Sequence, residues 1–144
     1  MEEFIEGQGK QSPSIQGIVH SDGSVDLIST HEQVLGGADD QVYLGCRFPC
    51  DEAYRLKLHE YGLQVAKSLS EKGARGRFGV DFIAAPEKPW DFENWDIYAL
   101  EINLRQGGTT HPFETMHLLT QGYALARSRL HTLPRAMHTL SLVP

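Results

Sequence analysis

One apolar stripe constrains this chain more than any other feature. Tyr54, Leu58, Tyr61, Val65 and Leu69 recur at spacings of four, three, four and four, which gathers them on one face of a helix. Asp51, just after Pro49, offers a side chain that can cap the first turn, and Gly73 offers a stop. Gly62 lies inside the stripe, where glycine costs a helix about 1 kcal/mol relative to alanine; it is expected to mark close packing against a neighbouring element. On both sides of this helix the pattern becomes that of strands. Residues 14–19 and 24–29 flank His20-Ser21-Asp22-Gly23, whose Asp-Gly is a strong turn dipeptide, and predict a β-hairpin. Residues 30–40 carry Gly36-Gly37 and Asp39-Asp40 without a clean period and read as loop with a turn of helix; 41–48 return to extended chain.

Residues 79–84 and 97–104 are both strand-like, and the proline-rich and acidic stretch between them supplies a long connection, so an antiparallel pair is expected. After His111-Pro112, the spacing of Phe113, Met116, Leu119 and Tyr123 predicts a second helix. The fold class is α+β, an antiparallel sheet with packed helices. From Ala124 onward no period is legible, which divides the chain into a unit at 1–123 and a tail at 124–144.

Composition bounds the function. With 144 residues, 40% hydrophobic and 22% charged, the chain can bury the core of one domain and differs from disordered sequences. A formal net charge of −6 argues against gripping a nucleic-acid backbone. No stretch approaches the roughly 18 apolar residues of a membrane span, and residues 1–7 lack the pattern of an export signal. Cys46 and Cys50 stand at a C-x3-C spacing with no second metal-ligating pair; they read as free thiols of a cytoplasmic protein.

The chemistry concentrates in Glu101-Ile102-Asn103-Leu104-Arg105. In a strand, Glu101, Asn103 and Arg105 share one side, and Leu100, Ile102 and Leu104 the other. Asp81, between Val80 and Phe82, faces the same way if the register pairs the two polar faces. Two carboxylates and an amide oxygen suit Mg2+, a hard cation that keeps waters and phosphate oxygens in its other positions. Arg105 would then lie beside phosphates. A plain solvated hairpin would carry the same charges on its exposed face, but it would not need the loop that follows, Gln106-Gly107-Gly108-Thr109-Thr110-His111-Pro112. Its glycines let backbone N–H groups approach an anion, and its threonines add donors.

These residues resemble the ATP-grasp ligases. The resemblance rests on Gly79-Val80-Asp81-Phe82, on Leu100-Glu101-Ile102-Asn103-Leu104-Arg105, on the Gly-Gly-Thr-Thr-His-Pro loop, and upstream on Glu2-Glu3-Phe4-Ile5-Glu6-Gly7, which looks like the segment joining the two ATP-grasp subdomains. It covers roughly residues 1–120 and is similar to the peptide ligases of the pheganomycin type. It implies the C-terminal subdomain of the ATP-grasp fold, with ATP and Mg2+ as cofactors and carboxylate and amine substrates joined through an acyl phosphate. Asp81, Glu101 and Asn103 would hold the metal. Arg105 would contact phosphate, and Gly107 would lie near the reacting acyl phosphate. Glu2 and the backbone of Glu3 and Ile5 would meet adenine. His111 falls in the acceptor region, where a histidine before proline can equally just order the loop.

Three departures from the family pattern stand out. Gln8-Gly9-Lys10-Gln11-Ser12 replaces the acidic ribose contact, which leaves that contact unassigned, and Gly79 stands where many members have arginine; Arg75 or Arg77 would substitute for phosphate contact, the other reading of both being plain solvated charges. The chain opens at the linker, so the lysine-bearing N-terminal half of the nucleotide site is expected from elsewhere, in cis or in trans. The alternative is a binding or docking module that keeps the scaffold without the catalysis.

Overall fold

The computed structural model describes residues 9–38, 42–88, 93–120 and 140–142. The expected hairpin is present as β1 (Pro13–Val19) and β2 (Val25–Gly36), paired antiparallel around the Asp22-Gly23 turn. β2 runs well past its expected end: residues 30–36, read from sequence as loop, continue the strand. Thr30, His31 and Glu32 are all buried, and polar residues enclosed on both faces of a sheet erase the alternation that a half-exposed strand displays. β3 (Val42–Phe48) returns alongside β2. After α1 (Glu52–Glu71) come β4 (Gly76–Pro86) and β5 (Trp95–Asn103), antiparallel to each other as expected. Helix α2 (Thr110–Leu119) starts at Thr110 rather than beyond Pro112; a proline in the first turn forfeits only an N–H that has no helical partner. In the tail, for which the sequence predicts no element, β6 (Leu140–Leu142) pairs with the end of β3. The six strands follow the order β5-β4-β1-β2-β3-β6.

The sheet is covered on both sides. Ile15, Val19, Leu27, Phe78, Val80, Phe82 and Ala84 point to one face and pack with Tyr54, Leu58 and Ala66 of α1. Cys46 and Phe48 point to the other and pack with Phe113 and Met116 of α2. The helical stripe of the sequence is thus the buried face of α1, centred one position round, on Tyr54, Leu58, Gly62 and Ala66. Gly62 has the role its position implied: a Cβ there would stand 2.5 Å from Ile15 Cδ1 and 3.3 Å from Ile15 Cγ2, so only glycine lets the helix lie this close to β1.

The start of α1 is tied down twice. Asp51 caps it, its carboxylate accepting from Ala53 N–H at 2.9 Å. Glu32 of β2 accepts from the Asp51 N–H at 3.0 Å and from the Tyr54 hydroxyl. At the other end, Gly73 takes a φ of +83° and Ala74 N–H reaches back to the Leu69 carbonyl at 2.9 Å, closing the helix where the sequence placed its stop. Tyr54 packs on Trp95 with ring centroids 4.9 Å apart, and Lys57 Nζ donates to the Trp95 carbonyl at 2.6 Å. These contacts fasten the first half of β5 to α1 and leave the second half at the sheet edge.

Candidate functional site

Against α2 the sheet presents polar rather than apolar residues near its β5 end. Ser14 and Gln16 of β1 alternate with Ile15, so they face away from α1. Asp81 of β4 stands opposite Ser14, and Gly79 opposite Gln16. Across the other edge of β4, Glu101 stands opposite Asp81 and Asn103 opposite Gly79. On β2, His31 lies opposite Ser14. The result is a row crossing four strands: Glu101, Asp81, Ser14, His31.

A β-bulge creates the Asp81–Glu101 pairing. Nearer the start of β5, Ala84 pairs with Ile97 and Phe82 with Ala99; beyond it, Asp81 pairs with Glu101, leaving Leu100 as the extra residue. Without that insertion, the alternation that turns Trp95 and Ile97 towards α1 would carry Glu101 and Asn103 the same way. The apolar residues of this stretch gain no cover among the described residues: Leu100 and Leu104 are 59% and 61% exposed, and Ile102 47%. The stripe inferred from alternation is therefore an exposed edge rather than a core face, because α1 reaches only the Trp95 and Ile97 end of the strand.

The two oxygens of Asp81 are engaged. Gln33 Nε2 donates to Oδ1 at 2.8 Å and Asn103 Nδ2 to Oδ2 at 3.3 Å. Burial, above all, pushes the Asp81 carboxyl above its ordinary value, and the Glu101 charge adds to this; the Ser14 hydroxyl, Arg105 and the bond from Gln33 pull the other way. Two crowded carboxylates with one pushed towards protonation form a set that a cation would relieve. Among the described residues no group of three or more His, Cys, Asp and Glu is disposed to hold a metal. A cation here would take Asp81, Glu101, the amide oxygen of Asn103 and otherwise water or ligand oxygens.

Beside this row opens a cleft of about 140 Å³, whose walls include Asp81, Asn103, Arg77, Arg105 and the 107–110 loop. The structure thus brings Arg77, Asp81, Asn103, Arg105 and Gly107 to one cleft, with Glu101 exposed at its rim. Beyond the Asp81–Asn103 bond, Arg77, Gly107 and Arg105 are also partnered within the chain. Arg77 Nη2 forms an ion pair with Glu114 of α2 at 2.5 Å. The Gly107 N–H, expected to face an anion, donates instead to Thr110 Oγ1 at 3.1 Å, so the loop closes on itself. Among the described residues, Arg105 Nη1 donates to the neighbouring Gln106 carbonyl at 3.3 Å. His111 is exposed at the start of α2 and does not line the cleft. Glu2, Glu3 and Ile5 lie outside the described residues.

Six cleft residues escaped the sequence reading: Ser14, Gln16, His31, Gln33, Tyr43 and Phe78. Gln16 Nε2 donates to Thr109 Oγ1 at 2.9 Å and so links the floor to the loop. The polar-apolar-polar order of Ser14-Ile15-Gln16 was the available signal; the buried polar run on β2 gave none.

Comparison with known proteins follows the same lines. The ATP-grasp domain family matches residues 1–109. The L-propargylglycine–L-glutamate ligase of Streptantibioticus cattleyicolor is 40% identical over 111 residues, which make up 77% of this chain and 21% of that protein. The chain therefore spans about a fifth of the length of that relative. Among solved structures, the biotin carboxylase of Campylobacter jejuni in complex with a β,γ-ATP ligand superposes with a TM-score of 0.60 at 22% identity, covering 92% of this chain and 28% of that one. The biotin carboxylase domain of the 2-oxoglutarate carboxylase of Hydrogenobacter thermophilus superposes with a TM-score of 0.59 at 17% identity, covering 88% and 26%. The solved structures share the fold, and the family match over residues 1–109 together with the ligase relative shows that the chain belongs to the ATP-grasp domain family.

Proposed function

We propose that this chain carries the magnesium-nucleotide edge of an ATP-dependent ligase that joins a carboxylate to an amine through an acyl phosphate. The observation that carries the reading is the bulged pairing of Asp81 with Glu101, with Asn103 beside them on the same face. In this reading Asp81, Glu101 and Asn103 would hold Mg2+, which when bound would supply positive charge against the nucleotide phosphates. Turning the Asn103 amide would present its oxygen in place of the nitrogen that now meets Asp81. Arg105, at the cleft wall, stabilises charge on the transferred phosphoryl group. Arg77 reaches phosphate once released from Glu114. The 107–110 loop bounds the space in which the acyl phosphate forms, and Glu2, Glu3 and Ile5 meet adenine.

The chemistry runs in two displacements. A substrate carboxylate oxygen attacks the γ-phosphorus and ADP leaves; the amine then attacks the acyl carbon, inorganic phosphate leaves, and the amine proton passes to solvent. Amino-acid substrates are suggested by the name of the ligase relative. Groups that grip the far side of the nucleotide come from outside the described residues, in cis or in trans. Calorimetric titration of Mg2+ with a non-hydrolysable ATP analogue tests the assignment. Glu101→Gln should weaken magnesium-dependent binding at least tenfold, and binding indifferent to that change would overturn it. ADP release across a panel of carboxylates and amines then separates a ligase from a non-catalytic binding module.

A further inference from the structure

His31 stands at the inner end of the row that crosses the sheet, next to Ser14 and two strands from Asp81. Its side chain is 1% exposed and lines the cleft, with the Phe48 ring at 5.2 Å. Neither ring nitrogen has a hydrogen-bond partner among the described residues. Buried polar atoms are almost always paired, because an unmade bond forfeits the full cost of desolvation. Burial pushes the His31 pKa down to about 3, so the ring stays neutral and keeps one N–H donor and one bare nitrogen.

The other polar atoms of the cleft decide what belongs there. Three of its acceptors are occupied: both Asp81 oxygens receive bonds from Gln33 and Asn103, and Thr109 Oγ1 receives one from Gln16. Among the described residues, the buried side-chain atoms of the cleft without a partner are those of His31 and Arg77, and both side chains can donate. Arg77 Nη1 is buried and has no partner among the described residues while its Nη2 holds Glu114. The ten-residue α2 begins at Thr110 on the cleft wall, and the partial positive charge of a helix start favours an anion. Donors around a buried, unpartnered imidazole describe a place for oxygen with negative charge.

We propose that His31 is a ligand-contacting residue whose ring N–H binds an oxyanion, a nucleotide phosphate or the substrate carboxylate, between the β1–β2 floor and the start of α2. The choice of these two sources rests on the ligase reading above. A neutral donor gives direction to such an anion without leaving a bare charge in the core when the site empties.

The test follows the His31 ring directly. Long-range 1H–15N spectra of the full chain are recorded while inorganic phosphate, and in a separate series L-glutamate, is added. A His31 signal that shifts and saturates supports the proposal; saturation by phosphate assigns the nucleotide, and saturation by L-glutamate the carboxylate substrate. Against the responding anion, His31→Phe should lose at least about tenfold in affinity and His31→Gln, which keeps an N–H donor, less than about threefold. A ring signal untouched by both anions overturns the proposal, as does full affinity in a folded His31→Phe. Should that variant not fold, the wild-type spectra and His31→Gln still decide. No turnover or metal enters the readout, so the inference can stand if ligase activity is absent; magnesium-nucleotide binding beside a silent His31 would remove this inference alone.

Discussion

Gly62→Ala sets two well-understood effects against each other. On an isolated helix the change stabilises by about 1 kcal/mol, since alanine loses less backbone entropy. Here the new methyl group would stand 2.5 Å from Ile15 Cδ1, 3.3 Å from Ile15 Cγ2 and 3.4 Å from Leu27 Cδ1. Carbon atoms settle at roughly 3.5–4.0 Å, so the Ile15 tip must retreat by about 1 Å. Ile15 is completely buried among Leu58, Phe78 and Val80 and has little room in which to do so. Overpacking of this kind costs about 1–3 kcal/mol, leaving a net destabilisation of about 1 kcal/mol. Urea denaturation gives the difference. Ile15→Val, which removes the clashing Cδ1, should cost about 0.5–1.5 kcal/mol alone, yet in the double variant it should restore most of the stability lost to Gly62→Ala. The strain should also reach the site, because Ser14 and Gln16 flank Ile15 and form the cleft floor; nucleotide affinity is expected to fall with Gly62→Ala and recover in the double variant. Stabilisation by Gly62→Ala, or additive effects in the pair, would refute the claim that α1 is seated on Ile15 through this glycine.

Asp51→Ala should cost about 1 kcal/mol of stability through the lost cap, whereas Glu32→Ala, which strips an acceptor from both the Asp51 N–H and the Tyr54 hydroxyl, should cost about 2–4 kcal/mol; a thermal melt giving the reverse order would contradict the double tie. His31 titrates near 3 when folded against 6.5 when exposed, so only the unfolded chain takes up its proton between those values. Its contribution is whole above pH 6.5 and is lost as pH falls towards 3, on the order of 4–5 kcal/mol, and His31→Phe should flatten that limb of the stability-pH curve. Burial pushes the Cys50 thiol up to about 11 and also raises Cys46; both are free and buried, so iodoacetamide should spare them in the native protein and modify both in denaturant.

Much of the scaffold was legible because α1 and β4 each bury one face more deeply than the other. The α1 stripe and the β4–β5 pair announce themselves by period, and the hairpin by its Asp22-Gly23 turn. Residues 30–36 did not, because α1 covers one face of β2 while the other faces the cleft, and Thr30, His31, Glu32 and Gln33 are polar on both sides. The same stretch hid His31 and Gln33 from the site. Asp81, Asn103 and Arg105 were identified from alternation and resemblance, and they meet in the cleft. That Glu101 joins Asp81 depends on a bulge which no local pattern marks. The partners that now hold Arg77 and Gly107, Glu114 and Thr110, follow from where α2 lands on the sheet, a tertiary outcome beyond the reach of spacing.

The extra residue at Leu100 divides one strand into two that keep separate time. Before it, β5 answers to α1 through Trp95 and Ile97; after it, the chain answers to residues 79–81 of β4. A substitution that rotates or slides the packed half has its effect absorbed at the bulge before it can turn the carboxylate. The anchoring half is thereby left free to drift in sequence with its helix while the half that carries Glu101 holds its aim, and deleting the exposed Leu100 would turn Glu101 to the opposite face of the sheet.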